Sequence, residues 1–319
     1  MIRGPEIKLG TGMTKGTHDA LEDPRNRSIL VYVNGALLPR DEAVVSVFDS
    51  GFMMGDGVWE GIRIHNGRFA FLDQHLDRLF EGAKAIDLEI GLTRKELTDA
   101  LYRVTTANNM TSGGHVRLMV TRGRKKTPFQ DPRLCLWGST VVIVAEFKTA
   151  NPETFERGIT LFTAHVHRAS PDIQDPKLNS HSKLNCILAM IQAIKAGADE
   201  ALMLDPHGFV STCNSTNFFI VRKGEVWTST GSYCLNGITR GNILRLCREA
   251  ALPAFEKDFS LTEVYGADEA FVTGTFGGVT PVVRVDGRVI GTGRPGPATR
   301  RLRDLYKLLV EREYPPLTS

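Results

Sequence analysis

The sequence predicts an α+β fold in two parts, on three observations. Asn-Gly pairs at Asn34-Gly35 and Asn66-Gly67 sit between short apolar runs, which marks tight hairpins. Apolar residues at 72, 76, 79, 80, 83 and 86 follow helical spacing. No βαβ rhythm runs through the first half, which reads as hairpins with helices packed against them.

The elements follow in order. Residues 1–28 are rich in Gly, Thr, Lys and Asp without an apolar period, and are expected to form a flexible arm over a partner subunit. The first hairpin spans Ile29 to Leu38, and the second turns between Gly61-Ile-Arg-Ile and Arg68-Phe-Ala-Phe. Thr93 and Glu96 form a capping box for a helix to about Asn108. His115 to Thr121 and Thr140 to Phe147 read as strands. Phe52, Met54 and Trp59, around Gly51, Gly55 and Gly57, read as core. Polar, aperiodic residues 149–157 are the expected linker, dividing a small domain (29–148) from a large one (158–319). The second half reads as a strand from Gly158, the stretch 175–217, a hairpin at Lys223-Gly224, and a helix from Ile238 to Ala251. A strand from Asp268, a hairpin at Asp286-Gly287 and a helix from Pro297 complete it.

At 319 residues the chain can bury a sizeable core. A net charge of +3 gives no nucleic-acid stripe, and the densest basic run, Arg122 to Lys126, reads as a turn. Five cysteines without a C-x-x-C pair argue against zinc and a disulfide framework, and for a reducing compartment. No apolar run approaches the roughly 18 residues of a membrane span, and the first residues do not read as a signal peptide. The expected location is the cytoplasm.

The chemistry centres on residues 175–217. Lys183 stands where an extended segment meets a helix, ahead of the small-polar loop around Ser211-Thr212, a place where an amine can meet a bound cofactor. Two anion sites lie further on. Asn236-Gly-Ile238-Thr239 opens a helix, and Gly274-Thr275 follows a strand. Both offer unpaired backbone N–H groups, and Arg78 adds a cation. Arg63 and Arg117 stand on strands among apolar neighbours, suited to a structural carboxylate or a substrate's. Gly291-Thr-Gly-Arg-Pro-Gly296 matches G-x-G-x-x-G, but no later strand supplies a ribose-binding acid, so it reads as a turn.

Several motifs resemble one family in the right order: Phe48-Asp-Ser-Gly-Phe-Met-Met-Gly-Asp-Gly-Val-Trp-Glu-Gly-Ile-Arg, His75-Leu-Asp-Arg-Leu, Asn236-Gly-Ile-Thr-Arg and Ala267-Asp-Glu-Ala-Phe-Val-Thr-Gly-Thr. The chain resembles the class IV, or fold type IV, aminotransferases that use pyridoxal 5′-phosphate, over about residues 29–312. The resemblance implies a two-domain α+β fold of the D-amino-acid aminotransferase type, a homodimer, and amino transfer between an amino acid or amine and a 2-oxo acid. By the same resemblance Arg78, Ile238, Thr239, Gly274 and Thr275 hold the phosphate, and Arg63 and Arg117 line the substrate pocket. Two positions depart from the family. Thr212 stands where a glutamate usually bonds the pyridine nitrogen. Asn179 takes the place of the lysine that bonds the cofactor's aldehyde carbon when the segment is aligned without gaps. Lys183, one helical turn on, is the expected amine; Lys177 or no lysine are the alternatives. Those departures also leave open a degenerate member that binds a carboxylated or phosphorylated ligand. A lyase of the aminodeoxychorismate lyase type, with the same cofactor, is a third reading.

Overall fold

Two large antiparallel-rich sheets, each covered by its own helices, and one two-stranded sheet build the protein; the computed structural model describes residues 16–316. Most of the expected N-terminal arm, residues 1–15, lies outside the described residues. The rest of it is tied down, because Ala20–Leu21 pairs antiparallel with Thr149–Ala150.

The first sheet has six strands, ordered Ala36–Pro39, Leu30–Val33, Thr140–Phe147, Gly114–Thr121, Gly57–His65 and Arg68–Phe69. Asn34 and Asn66 adopt positive φ at the two hairpins, the backbone that Asn-Gly turns require. Helices Leu72–Ala85 and Arg94–Ala107 cover one face. Their Leu76, Leu79, Leu97 and Leu101 are fully buried against Val58, Ile62, Ile64 and Leu118, each worth about 1.5–3 kcal/mol relative to exposure. The Thr93–Glu96 capping box is formed in both directions.

Strand Gly57–His65 has two working faces, since successive side chains alternate. Val58, Ile62 and Ile64 enter the core, whereas Trp59 and Gly61 line the central cavity. This corrects the expectation that Phe52, Met54 and Trp59 are core. Ser50–Met54 is a short surface helix, and Phe52 is 71% exposed. The basic run also differs from a free turn: Arg122 is spent on Asp56 and on the carbonyls of Ile86 and Asp87.

Residues 152–157 form the helix Pro152–Arg157, capped by the Asn151 side chain. Six residues are too few for a period to show in sequence. Beyond it lies a nine-stranded sheet, whose main path runs 210–213, 200–204, 159–163, 278–285, 269–274, 217–222, 225–228, 254–256. Helices Ile238–Glu249 and Pro297–Glu313 bury Ile243, Cys247, Leu302 and Leu309 against Phe219, Phe271 and Val279. The opposite face packs Phe218, Val272, Leu202 and Ile159. Helix Leu184–Lys195 docks by Ala189 and Ala193 on Ala201 and Met203. The 291–296 segment is a turn, as expected, with Gly291 and Gly293 at positive φ.

Candidate active site

A cavity of about 320 Å³ lies where strand Gly57–His65, the segment 179–186 and strand ends of the larger sheet converge. Six basic side chains line it: His18, Arg78, His115, Arg117, Arg168 and Lys183. No Asp or Glu is among its described lining residues. Burial holds His18 down to about 4 and His115 well below its ordinary value, so the three arginines and Lys183 carry the positive charge, which in a recessed space favours an anionic ligand.

One end gathers backbone N–H groups and a guanidinium. Helix Ile238–Glu249 begins at Gly237 with no side-chain cap, so its first N–H groups are not taken by a capping side chain. A Cβ at Gly237 would stand 2.1 Å from Asn217 Oδ1, so only glycine fits. Thr239, Gly274 and Thr275 line the same cavity. Arg78 is aimed from behind: Nε and Nη2 donate to the two Glu60 carboxylate oxygens at 2.8 and 2.7 Å, and Nη1 donates to the Asn236 carbonyl at 3.0 Å. Glu60 is fully buried and also pairs with His75 Nδ1 at 2.6 Å. Burial pushes Glu60 up, but the bonds from His75 and Arg78 outweigh it and hold the carboxyl below its ordinary range.

The segment carrying the amine is clamped to the first sheet. Trp59 N–H donates to the Asn179 carbonyl at 3.0 Å, and His181 N–H to the Gly57 carbonyl at 2.9 Å. The Trp59 indole donates to the Ser180 carbonyl at 3.0 Å. Asn179 is buried and lines the cavity; its amide donates to the Trp59 carbonyl at 2.6 Å, and its Oδ1 has no partner. Lys183, the residue before helix Leu184–Lys195, is the one lysine among the described lining residues. Lys177 is exposed and is not a lining residue. Burial lowers Lys183 to about 8; Arg168, Arg78 and Arg117 add to the effect, and Cys186 opposes it. Arg168 had no signal in sequence. It donates to Asn185 Oδ1, Cys186 Sγ and the carbonyls of Pro176 and Tyr233, with no carboxylate among these partners.

Thr212 lies buried in the cavity wall, and its hydroxyl donates to the Thr216 carbonyl at 2.8 Å. Its remaining lone pairs can accept a proton-bearing nitrogen but cannot supply a charge. Arg117 lines the cavity, its guanidinium 3.7 Å from the centre of the Trp59 ring. Arg63 is set back from the surface: it donates to the Lys148 carbonyl at 2.7 Å and sits 5.4 Å from the Phe276 ring centre.

The pattern described as "Amino-transferase class IV" matches residues 57–285, most of the chain. The chain belongs to the class IV aminotransferases. Members of this family use pyridoxal phosphate, and the fold here is the family's fold type IV. The chain is 42% identical over 302 residues to branched-chain-amino-acid aminotransferase-like protein 2 of Arabidopsis thaliana, covering 94% of this chain and 54% of that protein. It therefore spans about half the length of that relative. It is 38% identical over 278 residues to a putative branched-chain-amino-acid aminotransferase of Methanocaldococcus jannaschii, covering 87% and 95%. In three dimensions it is similar to a branched-chain amino acid aminotransferase from Thermoproteus uzoniensis, a thermophilic archaeon, solved with norvaline. That match has a TM-score of 0.81 and 30% identity, covering 90% of this class IV chain and 97% of the other.

Proposed function

We propose that this chain is a pyridoxal-phosphate-dependent aminotransferase that moves an amino group between an amino acid or amine and a 2-oxo acid. The observation that carries the reading is the presence of the Lys183 amine in the same cavity as Arg78 and the two backbone loops at Ile238-Thr239 and Gly274-Thr275. The cofactor suits this donor set: the uncapped N–H groups and the Arg78 guanidinium would hold a dianionic phosphate, and Lys183 would supply the amine for its aldehyde. When bound, the cofactor supplies an electron sink for the carbanion formed at the substrate's Cα.

The chain's own residues do the rest. Lys183, lowered to about 8, is partly neutral near neutral pH, so it can act as nucleophile and then carry a proton to or from the substrate's Cα. Arg117 orients a carboxylate, with Arg63 behind it. Asn179 offers its unpaired Oδ1 to an N–H in the cavity. Thr212 supplies a hydroxyl and no negative charge, so it would hold a proton on the ring nitrogen less firmly than a carboxylate would.

The assembly in this reading is a homodimer. Leu184, Ile187, Leu188, Ile191 and Ile194 form an exposed apolar stripe on the helix that starts beside Lys183. A second copy seated there would adjoin the amine. Among the described residues no helix is long and apolar enough to cross a membrane, and all five cysteines are free. A cytoplasmic location and two domains joined through 149–157 complete the proposal.

The test is to load the purified protein with pyridoxal phosphate, reduce it with borohydride and map the modified peptide. The reading expects a visible absorbance band that reduction removes, with the added mass on Lys183. A protein that stays colourless with excess cofactor, or mass on another residue, defeats it.

A further inference from the structure

Ala70 and Phe71, from the first half of the chain, are buried in a core of the second half, among Phe219, Phe271, Ile243 and Leu302. Phe71 is the residue before helix Leu72–Ala85, and it adopts φ 55° and ψ 35° without a side-chain cap. A bulky residue rarely takes this left-handed backbone, so the surroundings must hold it there. They belong to helix Pro297–Glu313 and the two residues after it. The Phe71 N–H donates to the Tyr314 hydroxyl at 2.6 Å, and the two rings meet edge to face at 5.6 Å. Tyr306, about two turns back on the helix, stacks on the same phenyl ring at 6.4 Å. Two further bonds fasten the corner. The Asn66 amide donates to the Tyr314 carbonyl at 2.7 Å, and Arg68 Nη2 donates to the Pro315 carbonyl at 2.5 Å.

This joint is one end of a short rigid span. Arg78 lies on the same helix, about 10 Å further along its axis. Its Nη1 reaches the Asn236 carbonyl, directly before the Gly237 start of helix Ile238–Glu249. Tyr306 hydrogen-bonds the side chain of Thr239, in the first turn of that helix. Helix Pro297–Glu313 therefore touches both halves of the anion end: Thr239 through Tyr306, and the helix of Arg78 through Tyr314. The Glu60 pairing fixes the guanidinium on the first sheet. The Phe71 joint fixes its helix against the larger one.

Resting on the cofactor placement of the aminotransferase reading, we infer that Tyr314 is a positioning residue for the phosphate end. Acting through Phe71, it holds the helix of Arg78 in register with the backbone at Ile238-Thr239. Its contacts are with Phe71, Asn66 and Arg68, and its effect on a bound phosphate is carried by Arg78.

Absorbance titration of the full chain with pyridoxal 5′-phosphate and with pyridoxal tests this, because only the first carries the group that Arg78 would hold. Wild type should bind the phosphorylated form more tightly. Tyr314→Phe keeps the ring against Phe71 and removes only the hydroxyl. It should weaken pyridoxal 5′-phosphate about fivefold, within the range of one hydrogen bond. Pyridoxal should stay within about twofold, as for a change remote from its contacts. Asn66→Gly cuts the other tie to Tyr314 and keeps the turn, since glycine accepts φ 49°. It should act in the same direction, again on the phosphorylated form alone. Equal losses for both aldehydes, no loss for either, or a wild type that does not prefer the phosphorylated one would overturn the inference. A wild type that shows this pattern yet moves no amino group supports the inference and defeats only the activity.

Discussion

Asn179 and Trp59 are locked together in both directions: the Trp59 N–H donates to the Asn179 carbonyl at 3.0 Å, and the Asn179 amide donates to the Trp59 carbonyl at 2.6 Å. The pair joins the segment bearing Lys183 to the sheet bearing Arg117. Replacing Asn179 by Leu leaves the Trp59 carbonyl buried without its side-chain donor. A destabilisation of about 1–3 kcal/mol is expected from urea unfolding. The borohydride-trapped adduct on Lys183 should still form, only more slowly. An undiminished unfolding midpoint would show that the clamp contributes nothing.

Lys183 gives a pH prediction with a definite sign. Its folded value of about 8 lies below the ordinary 10.5, so the unfolded chain holds the proton more tightly. Stability from this group is therefore lowest below about 8 and recovers as pH rises from 8 to 10.5. Lys183→Met should be more stable than the parent at neutral pH, on the order of 1 kcal/mol after allowing for partial exposure. The gap should close through that window. Adduct formation with pyridoxal phosphate should rise with pH around 8 in stopped-flow absorbance. An apparent value near 10.5 would place the amine in ordinary solvent.

Glu60 holds both His75 and Arg78 by direct hydrogen bonds. Glu60→Gln removes the charge from a buried pair and is expected to cost about 3–5 kcal/mol, read by thermal unfolding. Pyridoxal phosphate should also bind about tenfold more weakly, because Arg78 loses its aim. A variant with weakened stability but unchanged cofactor affinity would make the cluster purely structural.

The apolar stripe on helix Leu184–Lys195 predicts the assembly. Leu188→Glu with Ile191→Glu should turn a dimer into a monomer in analytical ultracentrifugation. Both residues are exposed in the single chain, so the monomer should keep its fold by circular dichroism. A sedimentation coefficient that does not change would move the interface elsewhere.

The periodic elements were legible in sequence because their signals are local. The Asn34 and Asn66 turns, the Thr93 cap and the Leu72–Ala85 stripe each depend on residues within one turn or one hairpin. The helix start after Gly237 was also readable, since a glycine turn opening a helix is a local feature. What sequence did not disclose are the long-range partners. Glu200 meets Thr17 across 183 positions, and Glu60 meets Arg78 from a different element. Arg168, His18 and His115 carry no spacing that marks them, and come to line one cavity only when the sheets are assembled. The helix Pro152–Arg157 escaped because a polar turn and a half leaves no periodic trace.

Trp59 has one further consequence. Its indole faces the cavity, stacked under Arg117 and 5.6 Å from the Lys183 nitrogen, whereas Trp137 is exposed and Trp227 lies against Lys257. The molecule therefore carries its own optical gauge. Intrinsic fluorescence should dim as a chromophore settles beside that ring, and Trp59→Phe should remove the response, giving occupancy without any label.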